Sequence, residues 1–72
     1  MASSSRRAAA VGARIGRIRQ QKRLSRRVVA ELAGIHENTL KRIESGKGNP
    51  TLSVLFGIAD ALGVKIHDLV CK

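Results

Sequence analysis

The stretch Leu24–Pro50, LSRRVVAELAGIHENTLKRIESGKGNP, leaves this chain few ways to fold. Ser25 is placed as an N-cap, its hydroxyl accepting from a free backbone N–H. Behind it, Val29, Ala30, Leu32 and Ala33 give a second helix, over Arg26–Ala33, an inward face. Gly34 supplies the left-handed backbone that a tight helix–helix turn needs. A third helix over Glu37–Ser45 buries Leu40 and Ile43. Gly46 and Gly48 stop it, and Asn49-Pro50 holds the following chain extended.

The flanking segments repeat apolar residues at the same helical period. Val11, Ile15 and Ile18 recur at spacings of four and three, which predicts a first helix over Ala8–Lys22. Gly12 and Gly16 cost that helix about 1 kcal/mol each relative to Ala, so docking must hold it. Met1–Arg7 is Ser-rich, carries two arginines and has no apolar period, so residues 1–7 are expected to form a disordered basic arm. Thr51 caps a fourth helix over Leu52–Leu62, with Leu52, Leu55, Ile58, Ala59 and Leu62 inward, and Gly63 ends it. A fifth, over Ile66–Val70, offers Ile66, Leu69 and Val70. The expectation is one compact all-α, five-helix domain over residues 8–72, because a chain of this length builds a single small core.

Charge narrows the partners. Residues 1–48 hold twelve Lys/Arg against Glu31, Glu37 and Glu44, whereas residues 49–72 balance Lys65 and Lys72 against Asp60 and Asp68. The whole excess of +9 therefore lies on the first two thirds, as on a surface that faces a polyanion. Phe56 is the one aromatic residue. Single strands and RNA loops are gripped by stacking bases on aromatic rings, so the balance points to duplex DNA.

Other classes find little support. No apolar run approaches the roughly 20 residues that cross a bilayer, and the basic helices lack the Trp/Phe-rich faces of membrane-surface peptides. Arg14 and Arg17 break the apolar stretch after Arg6-Arg7 too early for an export signal. Cys71, the single cysteine, permits no intrachain disulfide and suits a reducing cytoplasm. No catalytic residues, cofactor or metal site is expected: there are no paired carboxylates and no nucleophile beside a base, and GKGNP lacks the strand–loop–helix setting of a phosphate loop.

The third helix has two faces. With Leu40 at zero and about 100° per residue, Asn38 falls near 160° and Arg42 near 200°, opposite the core, with Lys41 on the flank near 100°. Asn and Arg are the side chains that pair bidentately with adenine and guanine edges, so Asn38 and Arg42 are the leading base readers. Lys41 and Glu37 belong to the same candidate set. Glu37 either accepts from a cytosine amino group or simply pairs with Lys41 across one turn. His36, at the start of the helix, is either a poor or improvised cap or a phosphate contact at the positive end of the helix dipole. Glu44 points to the core side and needs a partner there; Arg19, on the first helix, is expected to supply a structural ion pair.

These pieces in this order, LS, AELAGI, TLKRIESGK and NPTL–LFGIADALGV, resemble the lambda-repressor-like helix-turn-helix domain of phage repressors and xenobiotic-response-element regulators, over Val11–Val70. The resemblance implies that the third helix enters the major groove and that a first-helix Arg pairs with Glu44. It also implies that the start of the second helix and the loop after the third hold phosphates, which by position are Ser25, Arg26, Lys47 and Asn49. The chain departs from the pattern at Arg26, where Gln is common, at Arg27-Val28, and at His36.

The expected function is a sequence-specific duplex-DNA-binding transcription regulator, a repressor acting by operator occupancy in the cytoplasm at the nucleoid. The alternative is an antitoxin or controller subunit whose main partner is another protein, toxin-like, with DNA binding for autoregulation. One domain buries only about 600–1,000 Å² on DNA, so a homodimer is expected. Val54, Phe56, Val64, Ile66 and Val70 form its candidate seam, unless they merely complete the monomer core.

Overall fold

The computed structural model describes residues 2–70, with side chains from residue 6 onward. Met1, Cys71 and Lys72 lie outside the described residues, and with them the reading of the lone thiol. The described residues form five helices and no strand: α1 (Ala2–Gln21), α2 (Arg26–Ala33), α3 (Glu37–Glu44), α4 (Leu52–Leu62) and α5 (Ile66–Val70).

Local chemistry sets most of the boundaries. Ser25 Oγ accepts from Val28 N at 3.1 Å and Thr51 Oγ1 from Val54 N at 3.2 Å, each removing one orphan donor from a helix start. Gly34 and Gly63, at φ 74° and 72°, close α2 and α4 in the left-handed region. At α5 the cap comes from within the helix: the Asp68 carboxylate reaches back and accepts from Lys65 N at 3.0 Å, the returning half of a capping box. Helix α3 ends one residue before the expected Ser45, which is its C-cap. Below it the chain turns tightly, with Lys47 N and Gly48 N both donating to the Arg42 carbonyl at 3.0 Å.

The first helix departs from its expected bounds. Helix α1 begins at Ala2, not Ala8, and ends at Gln21 rather than Lys22. Arg6, Arg7 and Ala8–Ala10 are strong helix formers that extend the helix without any amphipathic period, and Ala9 lies against the Gly46 turn, where an added Cβ on Gly46 would stand 3.0 Å from Ala9 Cα.

Helix α1 lies against α3, α2 packs on both α3 and α4, and α5 closes the base against α4 and α1. The core between them is Ile15, Val29, Leu40, Ile58, Leu62 and Leu69, with Ala30, Ile43 and Ala59 around it. Burying each large aliphatic side chain contributes about 1.5–3 kcal/mol.

Two residues expected inside are outside. Leu32 is 64% and Leu52 63% exposed. Leu32 sits about 105° from the mean direction of Val29, Ala30 and Ala33, while steps of three from Ile58 through Leu55 to Leu52 drift by about 120°. The candidate seam also divides. Val54 and Val64 pack on the core and Ile66 is half-buried, leaving Phe56 and Val70 exposed. Val54 and Phe56 are about 200° apart around α4 and cannot share a face.

Candidate nucleic-acid interface

Helix α3 is held by one carboxylate. Arg19, 8% exposed, donates from Nε to Glu44 Oε2 at 2.7 Å and from Nη2 to Oε1 at 3.1 Å. Its Nη1 donates to the Leu24 carbonyl at 2.9 Å, tying the α1–α2 turn into the same cluster. Arg26 Nε adds a third bond to the carboxylate, to Oε1 at 2.9 Å. Glu44 thus joins α1, α2 and α3, and the three side chains together retain one positive charge.

That geometry changes the account of Arg26. Expected as a plain phosphate contact, it is half-buried with Nε committed to Glu44. Arg26 also borders a recess lined by Glu37, Asn38 and Lys41. Arg26 is a brace first, and any anion it meets is met by a group already oriented.

With Leu40 and Ile43 buried beneath it, α3 exposes Glu37, Asn38, Thr39, Lys41 and Arg42. The turn that follows places Lys47 and Asn49 beside Arg42, around a groove of about 450 Å³ that reaches Thr51 at the start of α4. His36 occupies the N-cap position and its side chain makes no capping bond, which makes it a poor cap. Ser25 is exposed, and its hydroxyl oxygen is engaged by Val28 N at the start of α2.

On the other flank of α3, Arg17 and Gln20 of α1 stand across a second cleft from Lys41 and Ser45. Sequence reasoning singles out neither for this surface, since Arg17 is one of several α1 cations. The available signal is the small pair Ala13 and Gly16, which leaves that side of α1 open. Phe56 and Val70 border neither groove of α3; Val70 lines a separate recess with Arg7, Val11 and Arg14.

A helix-turn-helix family model, HTH_3, matches residues 15–69. The chain belongs to this helix-turn-helix family. Its fold is lambda-repressor-like, and it is a DNA-binding transcription regulator. Among helix-turn-helix relatives, it is 37% identical over 60 residues to an uncharacterized HTH-type transcriptional regulator, y4dJ, of Sinorhizobium fredii, covering 83% of this chain and 78% of that one. It is 38% identical over 60 residues to the immunity repressor protein of Bacillus phage phi105, covering 83% of this chain and 42% of the repressor. The chain therefore spans less than half the length of that phage protein. Among helix-turn-helix structures, the restriction-modification controller protein C.AhdI of Aeromonas hydrophila superposes with a TM-score of 0.84 at 27% identity, over 86% of this chain and 94% of that one. The reading in which another protein is the main partner is not favoured by these relatives.

Proposed function

We propose that this chain represses transcription by occupying an operator, with α3 in the major groove of duplex DNA. The observation that carries the reading is the α3 stripe: Asn38 and Arg42 stand exposed opposite buried Leu40 and Ile43, on a helix clamped through Glu44. Asn38 and Arg42 pair with base edges, and Glu37 accepts from a cytosine amino group beside them. Lys47, Asn49, Ser25 and His36 meet backbone phosphates and supply most of the affinity. The phage phi105 relative, named an immunity repressor, supports the sign of regulation.

Two copies act together. A single domain has too small a footprint for useful specificity, and Phe56 and Val70 offer exposed apolar surface away from α3. A symmetric dimer reads two half-sites about one helical turn apart. Duplex DNA as ligand places the protein at the nucleoid, in the cytoplasm.

Selecting bound duplexes from a random library at a stated salt concentration tests this. Enrichment of a palindromic motif is expected. Recovery of unenriched sequence would remove both the base-reading assignment and the operator.

A further inference from the structure

The cleft between α1 and α3 encloses about 360 Å³ and has no bulk on its floor. Ala13 is there, and Gly16, where an added Cβ would come 3.4 Å from Glu44 Oε1. Its walls are Arg17 and Gln20 from α1 and Lys41 from α3, with Arg26 alongside. The lone acid is Glu44, and both its oxygens are already taken by Arg19 and Arg26. A concave site with three cations, an amide donor and an internally satisfied carboxylate is built for an anion.

Its position says which anion. Lys41 lies near 100° on α3 and Thr39 near 260°, and Thr39 lines the groove that holds Arg42, Lys47 and Asn49. The two clefts therefore lie on opposite flanks of α3. A helix with its side chains is about 10–12 Å across and the major groove about 12 Å wide, so a helix seated there is bracketed by the phosphates of both strands.

We propose that the α1–α3 cleft is a second phosphate seat, in which Arg17, Gln20 and Lys41 hold the backbone of one strand while Lys47 and Asn49 hold the other. Lys41 is then a phosphate ligand and not a base reader, and Glu44 acts as a positioning residue that aims Arg26 at the same strand. This rests on α3 being the major-groove helix.

The test is duplex binding across a salt series, on the selected operator and on random duplex, by four variants at exposed positions. Arg17→Ala and Lys41→Ala should each weaken both duplexes alike and lower the salt slope by about 1. Ala13→Glu and Gln21→Glu add the same charge to α1. The first lies inside the cleft; the second lies about 12 Å further along the helix and about 80° around it. Ala13→Glu should lose about tenfold more affinity, as expected when one charge-assisted bond to the ligand is removed. Equal losses from the two would overturn the seat while leaving DNA binding intact. So would a Lys41→Ala variant that changes preference at one base pair with its salt slope unaltered. A chain that bound no duplex at all would overturn the function reading as well.

Discussion

Gly12 on α1 lies so close to α3 that an added Cβ would stand 1.9 Å from the Ile43 carbonyl oxygen. The obstacle is backbone, which cannot swing aside. A glycine that weakens α1 as an isolated helix is therefore what lets α1 reach α3 and deliver Arg19 to Glu44. Gly16, one turn on, differs, since its added Cβ would meet only the Glu44 side chain, at 3.4 Å. Gly12→Ala should destabilise by about 2 kcal/mol or more, the overpacking cost exceeding the gain of about 1 kcal/mol in helix propensity. Gly16→Ala should be neutral or stabilising by up to about 1 kcal/mol. Urea unfolding followed by circular dichroism checks both; equal effects would contradict the asymmetry.

The Glu44 cluster divides its energy unevenly between its two arginines. The Arg19 and Glu44 side chains are 10% and 7% exposed, whereas that of Arg26 is 39% exposed. Glu44→Gln leaves the Arg19 charge buried without its counter-charge and should cost about 3–5 kcal/mol. Arg26→Ala breaks a bond that water already screens and should cost about 1 kcal/mol or less. The difference in denaturant midpoint is the measurement, and similar losses would mean that Arg26 carries as much as Arg19.

Much of the fold is legible because its punctuation is local. Ser25, Gly34, Thr51 and Gly63 act on the residues next to them, so α2 and α4 can be bounded without knowing what they pack against. The extent of α1 beyond its apolar period draws on the contact between Ala9 and the Gly46 turn, which no window of sequence contains. Leu32 and Leu52 show the limit of reading apolar spacing alone: three-residue steps drift off the buried stripe. At the site, Asn38 and Arg42 can be placed by angle from Leu40. The Arg26–Glu44 bond and the Arg17 wall of the cleft depend on how three helices meet, and nothing near those residues announces them.

Arg23 closes α1 with φ at 59°, the one non-glycine among the described residues in the left-handed region. The conformation is required there, since Arg23 N donates to the Gln20 carbonyl and Leu24 N to that of Arg19, both at 3.0 Å. A side chain in this region costs about 1–2 kcal/mol, part of which glycine returns through its freer unfolded chain. Arg23→Gly should therefore raise stability by about 1 kcal/mol, read as a higher melting midpoint. A lower midpoint would mean that the Arg23 side chain makes a compensating contact.

Arg42 and Lys47 border one groove but should fail differently. Arg42→Ala should relax preference at one base pair at a cost of about 1–3 kcal/mol on the operator, with little change on random duplex. Lys47→Ala should weaken every duplex alike and reduce the salt slope by about 1. Titration of both variants on matched and mismatched duplexes separates the roles; proportional losses on all sequences from both would remove Arg42 as a reader.

Phe56 is 48% exposed on the outer side of α4, away from both clefts of α3. If it packs on a second copy, a charge there should break the association with little disturbance of the monomer, whose core residues Ile58, Ala59 and Leu62 point on average about 115° away around the helix. Phe56→Glu should keep its helical circular dichroism and sediment as a monomer. It should also lose far more affinity for a two-half-site operator than for one half-site, because the second contact no longer profits from the effective concentration that linkage provides. An unchanged sedimentation coefficient with an unchanged ratio of the two affinities would move the seam away from Phe56. Val70→Glu would then be the next position to test, since Val70 is the other exposed member of the candidate seam.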